Sequence, residues 1–101
     1  MKVEIQLVNE KGCAIPTKQR AAMPRFRGVL HVCEARVQSL GRIVTTAELC
    51  SGTDKSSQPL VPALLDADVM FLRDQQMRIR GVELVNGIQY GQTWDVRVLP
   101  C

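Results

Sequence analysis

The chain has few of the residue types on which catalytic and metal sites depend. It contains one histidine and four aromatic residues, two of them Phe, with one Tyr and one Trp. Its four cysteines include no Cys-x-x-Cys pair, whereas structural zinc sites need closely spaced ligands. No nucleophile motif or cluster of acids stands out. We therefore expect no metal, no cofactor and no enzymatic activity.

Export signals are also missing. The start, Met1-Lys2-Val3-Glu4, places an acid where a secretory signal has its apolar run. No apolar stretch reaches the roughly 20 residues of a membrane-spanning helix. The expectation is a cytoplasmic protein without membrane contact, whose thiols Cys13, Cys33, Cys50 and Cys101 are reduced. Cys101, at the very end, is expected to be mobile and reactive.

The overall composition is that of a folded domain. Of the 101 residues, 46% are hydrophobic and 23% are charged, which excludes wholesale disorder. This length suits one domain over residues 1–101. Because aromatic residues are scarce, its core must be mainly aliphatic.

The strongest local pattern lies at the C-terminal end. Asn86-Gly87 is the preferred dipeptide of a type I′ hairpin turn, and alternating sequences flank it. A turn there makes one face mostly aliphatic and aromatic and puts an opposite-charge pair on the reverse face. The pairs predicted on the first face are Met77–Val96, Ile79–Trp94, Glu83–Tyr90 and Val85–Ile88, and those on the reverse face are Arg78–Asp95 and Arg80–Thr93.

The rest of the chain also favours strands. Alternation predicts strands over residues 2–7, 26–37 and 42–49, and Gly81 is expected to mark a bulge, a bend or a close approach of backbones. Between Pro16 and Pro24 one or two helical turns are possible, and residues 62–72 suit either a buried strand or a short helix. About six strands predict a mainly β protein, a small antiparallel barrel or sandwich-like sheet, with an α+β fold as the alternative.

Positive charge is concentrated in the first third. The formal net charge is +3, but residues 11–33 hold five bases and no acid. Within this stretch Lys18, Arg20, Arg25 and Arg27 are candidates to contact nucleic-acid phosphates. Phe26 either stacks on a base or, because it alternates with two arginines, points into the core of an ordinary amphipathic strand.

Three smaller patterns favour structural roles. His31 and Cys33 share one face of an apolar strand, which predicts a core cysteine beside a hydrogen-bonded histidine rather than a nucleophile pair. Asp66 and Asp68 are more typical of a turn and a solubilised sheet edge than of a magnesium site. The stretch Ser51–Ser57 lacks the glycine spacing of a phosphate-binding loop and is expected to be solvated.

These observations leave three functional hypotheses. The first is a non-catalytic module that self-associates or binds another protein, because a small β domain has strand edges to cover and gains from burying more surface. The second is a small barrel that binds nucleic acid through residues 11–33. The third is a small-ligand binder or enzyme with a pocket at a barrel mouth near His31, Glu83 and Tyr90.

Overall fold

A computed structural model describes residues 1–53 and 57–100, and most of them lie in antiparallel strands. The elements are β1 (Lys2–Glu10), β2 (Cys13–Ala14), α1 (Thr17–Arg20), β3 (Arg25–Val37), β4 (Arg42–Cys50), β5 (Leu64–Phe71), β6 (Gln76–Val85) and β7 (Ile88–Val98). The predicted fold class, a mainly β barrel or sandwich-like sheet of about six antiparallel strands, is confirmed, and of the two forms the sheet is a closed six-stranded barrel with one extra strand.

The sheet closes through its first and last long strands. The strands follow the order β2-β1-β3-β4-β5-β6-β7, and β1 also pairs with β7. Residues 2–6 of β1 pair with β3 on one side, while residues 3–10 pair with β7 on the other. The register of the β7 pairing shifts between Leu7 and Asn9, and the short β2 then pairs with Asn9 and Glu10. Closure thus gives both β1 and β7 a long partner strand on each side.

The C-terminal hairpin has the predicted register. Met77 pairs with Val96, Ile79 with Trp94, and Arg78 with Asp95, and all the other predicted pairs are present. At the tip Asn86 has φ 51° and Gly87 has φ 79°, the positive values that a type I′ turn requires. Register is predictable here because the turn and the alternation are both local in sequence.

The barrel interior is filled mainly by aliphatic side chains. They come from every long strand and include Val3, Ile5, Leu7, Leu30, Leu49, Leu64, Ile79 and Val96. Phe26 packs edge-on against Trp94, with ring centroids 6.3 Å apart. A remaining void of about 20 Å³ lies among these side chains, space for roughly one water molecule. The prediction of an aliphatic core is confirmed.

Gly81 lies beside an irregularity in the pairing of β5 with β6. The β5–β6 register shifts between Leu65 and Asp68, and Asp66 there has φ 53°. A Cβ on Gly81 would lie 2.9 Å from Leu64 Cβ and 3.1 Å from the Leu65 carbonyl oxygen. Gly81 therefore permits a close approach of β6 to β5, as its position in the alternating pattern predicted.

Two local expectations need correction or refinement. Residues 64–71 form a strand rather than a helix, but Phe71 and Leu72 are exposed instead of buried, because β5 ends at the barrel rim. Between the prolines there is a helix of four residues, α1. The two-residue strand β2 was not predicted, since Cys13 and Ala14 are too short a run to show a period.

Candidate nucleic-acid interface

The outer surface of β3, β1, β7 and β6 carries a group of arginines. Side chains alternate along a strand, so the neighbours of the inward-facing Phe26, Met77, Ile79 and Val96 point outward. A further arginine comes from the end of α1, whose last carbonyl accepts a hydrogen bond from the Gln6 side chain. We call this surface the arginine face, and its members are Arg20, Arg25, Arg27, Arg78, Arg80 and Arg97.

Glu4 lies at the centre of three of these arginines. Its side chain is only 9% exposed, and Arg27 Nε donates to it at 2.7 Å. Arg97 Nη2 lies 3.4 Å and Arg25 Nη1 3.8 Å from its other oxygen. The hydrogen bond from Arg27, supported by the charge of Arg97, lowers the pKa of the Glu4 carboxyl below its ordinary value. One carboxylate therefore holds three guanidinium groups in place and leaves most of their charge uncompensated.

Among the described residues, the other three arginines of the face form one ion pair between them. Arg78 Nε binds Asp95 at 2.9 Å, and Arg20 Nε donates to the carbonyl of Ile15 at 2.8 Å. Arg80 is exposed, and no carboxylate of the described residues forms an ion pair with it. Its neighbour across the strand pair is Asp68.

The face carries an excess of positive charge. Its six arginines stand against three nearby carboxylates, those of Glu4, Asp68 and Asp95. Long-range attraction of an anion would be directed to this side of the barrel.

Two shallow depressions run across the arginine face. One of about 250 Å³ is lined by Arg25, Arg78 and Arg97, together with Gln6, Gln76 and Leu72. The second, of about 420 Å³, is lined by Arg20, Arg78 and Arg80. Arg78 lines both, so the two depressions are neighbours on this face. Guanidinium groups along such a surface can bind successive phosphate groups of a polyanion.

The structure brings together three of the four predicted phosphate contacts. Arg20, Arg25 and Arg27 lie on the arginine face, whereas Lys18 is exposed on α1 and lines neither depression. Sequence reasoning missed Arg97 and did not count the hairpin pair of arginines as site residues. The register had placed Arg78 and Arg80 on the reverse face of the hairpin, but no sequence pattern indicated that β7 would pair with β1.

Phe26 is not available for base stacking. Its ring packs against Trp94 and the core, as the amphipathic-strand alternative predicted. The ring of Tyr90 already has a cationic partner, because Lys11 Nζ lies over it at 5.0 Å from the ring centre. Phe71 is the contrasting case, with 77% of its surface exposed.

The residues proposed for a barrel-mouth pocket are not brought together. Glu83 and Tyr90 pair directly on the β6–β7 hairpin, and the Glu83 carboxylate accepts a hydrogen bond from Gln92. His31 lies on the outer side of β3, where its Nε2 is 3.2 Å from the carbonyl oxygen of Gly52. The trio is therefore divided between the two sides of the sheet.

The prediction that Cys33 is a core residue is wrong. Cys33 is exposed, and its Sγ lies 3.2 Å from Thr46 Oγ1. The apolar run of β3 is buried on both faces only at Val29 and Leu30, and Val32 is already 48% exposed. Burial ends there because β1, which covers the other edge, pairs with β3 only up to Val29. The predicted hydrogen bond of His31 is present.

The remaining candidates have structural partners. Asp66 binds Arg42 through both oxygens, at 2.6 and 3.2 Å, and this hydrogen bonding lowers the pKa of the Asp66 carboxyl. Within residues 1–53 and 57–100 no three His, Cys, Asp or Glu side chains are grouped so as to hold a metal ion. The centre of the loop Ser51–Ser57 and the terminal Cys101 lie outside the described residues.

Comparisons with known proteins identified no relative of this chain. No family model matches the chain, and no curated protein or solved structure matches it significantly. Among the described residues, no helix has the length and apolar character needed to cross a membrane. Functional inference therefore depends on the geometry of the arginine face.

Proposed function

We propose that the protein binds nucleic acid through the phosphate backbone, on the arginine face. One observation carries the proposal. The barrel brings together, around two neighbouring depressions, the side chains of Arg20, Arg25, Arg78, Arg80 and Arg97. Residues distant in sequence thus form one positively charged surface.

The chemistry of the face suits phosphate. Guanidinium groups bind phosphate oxygens through paired, charge-assisted hydrogen bonds. Glu4 holds Arg25, Arg27 and Arg97 on one side of the barrel before any ligand arrives, while each of these side chains stays more than half exposed. Ordering these arginines in advance reduces the entropy that binding must overcome.

Sequence-tolerant binding is the expected mode. Contacts to phosphate position a protein on nucleic acid but carry no information about the bases. Five arginines line the two depressions, and Glu4, Gln6, Asn9, Gln76, Thr93 and Asp95 line them as well. The proposal rests on the contacts of the arginines with phosphate. We therefore expect affinity to depend on salt far more than on base sequence.

Self-association is the second candidate. The long strands have few free edges to offer, because β1 pairs with both β3 and β7, and β4 pairs with both β3 and β5. A different observation now favours association: Val32 and Ile43, on the β3–β4 hairpin, are 48% and 60% exposed. Sedimentation under reducing conditions tests this directly, and a strict monomer at high concentration would remove self-association.

A pair of matched variants tests nucleic-acid binding. Arg80→Gln removes a charge from the arginine face, and Arg36→Gln removes one from the end of β3, outside both depressions. By fluorescence anisotropy with a labelled oligonucleotide at low salt, we expect Arg80→Gln to weaken binding about fivefold. Arg36→Gln should change affinity much less. Absence of any binding at low salt, or equal losses in both variants, would refute the proposal.

A further inference from the structure

We propose that two copies of the chain associate through the uncovered edge of β3, with residues 33–37 of each copy paired antiparallel about a two-fold axis. This inference gives the second candidate function, self-association, a defined surface, and it does not depend on nucleic-acid binding. It starts from a stretch of strand edge that the closed barrel leaves without a neighbour.

β3 extends past the strand that covers its first half. β1 pairs with β3 only as far as Val29, and the Leu30 N–H then donates to the Met1 carbonyl at 2.8 Å. Within the described part of the chain, residues 31–37 of β3 pair with β4 alone. This half of β3 therefore has one strand neighbour instead of two.

The backbone polar groups along this edge face outward from the sheet. In an antiparallel ladder, the N–H and C=O groups of successive residues point alternately to the two sides of the strand. The Leu30 N–H points to the β1 side, so the N–H and C=O of Val32, Glu34 and Arg36 point to that side as well. Each of these residues thus offers a donor and an acceptor to an incoming strand.

The edge lacks the features that usually prevent pairing between molecules. Exposed edges are commonly interrupted by a proline, a bulge or lysine side chains. Residues 29–37 contain no proline and no lysine, and they pair with β4 from Val29 to Val37 without a shift in register. The edge is therefore regular and open to a further strand.

The charges on the edge favour a second copy of the chain as that strand. Glu34 and Arg36 are exposed, and neither forms an ion pair with another described residue. Their neighbours on β4, Thr45 and Ile43, are uncharged. A two-fold pairing centred on Ala35 places Glu34 of each copy opposite Arg36 of the other. Both residues direct their backbone groups to the edge, so one register satisfies the backbone and the charges together.

The neighbouring registers are less favourable. A pairing centred on Glu34 or on Arg36 places like charges directly opposite each other, which is destabilising. A pairing centred on Cys33 would match Arg36 with Leu30, whose N–H is already bonded to Met1. The pairing about Ala35 avoids both problems.

The same pairing brings exposed apolar side chains together on one face. Val32 and Ile43 are 48% and 60% exposed. Ile43 pairs with Arg36, which lies an even number of residues from Val32, so all three side chains share one face of the hairpin. Joining two hairpins therefore extends this apolar surface across both copies.

The contact is short, so association should be weak and should require a high protein concentration. At the lower concentrations at which an oligonucleotide is titrated, the protein is expected to be a monomer. Arg36→Gln therefore remains a control for the arginine face.

Charge reversals at the facing positions test the register. Glu34→Arg and Arg36→Glu each place like charges opposite each other at both symmetry-related pairs, whereas the double variant restores opposite charges. An equimolar mixture of the two single variants also restores them, because one supplies two arginines and the other two glutamates. Arg73→Glu, at an exposed position after β5, changes the net charge as Arg36→Glu does and serves as a control.

Sedimentation velocity under reducing conditions measures the association. Wild-type protein should show a concentration-dependent equilibrium between monomer and dimer. Each single reversal should weaken association about tenfold or more, and Arg73→Glu should behave as wild type. The double variant and the mixture should associate as wild type does. Thermal melting verifies that the variants, which change exposed side chains, keep the fold.

Three outcomes would overturn the inference. A wild-type protein that stays monomeric at every concentration would remove self-association altogether and leave nucleic-acid binding untouched. A dimer that both single reversals leave intact would use another surface. Loss of the dimer in the single variants without recovery in their mixture would contradict the pairing of Glu34 with Arg36.

Discussion

At the scale of single residues, Glu4 determines the geometry of half the arginine face. Only 8% of the surface of Glu4 is exposed. Its carboxylate contacts three arginines, which come from β3 on one side of β1 and from β7 on the other. A carboxylate in this setting is stabilised in its charged form, and its pKa is lowered, first by the hydrogen bond from Arg27. Glu4 thus links the stability of the barrel to the order of its charged surface.

Replacing Glu4 by Gln should move stability and binding in opposite directions. We expect a loss of about 1 kcal/mol in the free energy of unfolding at neutral pH, since a charge-assisted hydrogen bond is lost while the arginines remain solvated. Removing a carboxylate also makes the face more positive, so oligonucleotide affinity at low salt should rise. Urea denaturation and anisotropy measure the two effects.

The difference in unfolding free energy between wild type and Glu4→Gln should become smaller at low pH. The folded pKa of Glu4 lies below its ordinary value of 4.5, so its contribution is fully present above that value. It is lost as pH falls through the lowered folded pKa. The difference in unfolding free energy between wild type and Glu4→Gln should therefore begin to narrow as pH falls below about 4.5, and it should keep narrowing until the folded carboxyl is protonated. A gap that stays constant down to pH 2 to 3 would contradict the assigned role of Glu4.

The turn after β5 places two consecutive residues, Asp74 and Gln75, in the left-handed region, where glycine is favoured. Gln75 has φ 59°, a left-handed conformation that costs an L-residue roughly 1 kcal/mol. Gln75→Gly should raise the free energy of unfolding by about 0.5–1 kcal/mol, and Gln75→Ala, which keeps the strain, should leave it nearly unchanged. Thermal melting compares the two, and equal melting temperatures would show that the turn relaxes in another way.

At the scale of strands and hairpins, two glycines on the same hairpin should respond differently to an added methyl group. A Cβ on Gly81 would meet the side chain and backbone of β5 at 2.9 and 3.1 Å, whereas a Cβ on Gly91 has no such neighbour within 4 Å. We expect Gly81→Ala to destabilise the protein by about 1–3 kcal/mol and Gly91→Ala to be neutral or slightly stabilising. Chemical denaturation of both variants measures the difference. Equal effects would mean that β5 and β6 do not approach closely there.

The local sequence predicted which segments form strands better than it predicted which of their residues are buried. The β6–β7 register followed from Asn86-Gly87 and the flanking alternation, and the strand from Arg42 followed from the β-branched residues around Val44. Exposure depends on which strand lies next in space, and a single sequence does not show this. Cys33 and Phe71 were both assigned to buried segments because their neighbours are apolar. Each lies near the end of a strand, past the residues at which neighbouring strands bury the side chains.

At the scale of the whole molecule, barrel closure joins charges that the sequence keeps apart. Arg20, Arg25 and Arg27 were predictable because no acid interrupts their stretch. The contributions of β6 and β7 were not, because the pairing of β1 with β7 connects residues nearly a full chain length apart. Such a contact leaves no local pattern in the sequence. The candidate site was therefore about half predictable from sequence, and closure supplies the remainder.

The most direct measurement of the central claim is the salt dependence of oligonucleotide binding. For a single strand, the logarithm of the binding constant should fall linearly with the logarithm of salt concentration, with a slope of about −0.7 for each phosphate contacted. We expect Arg80→Gln to reduce that slope by roughly one contact and Arg36→Gln to leave it unchanged. Binding that is absent at low salt, insensitive to salt, or reduced in slope equally by both variants would contradict an arginine face that holds the phosphate backbone.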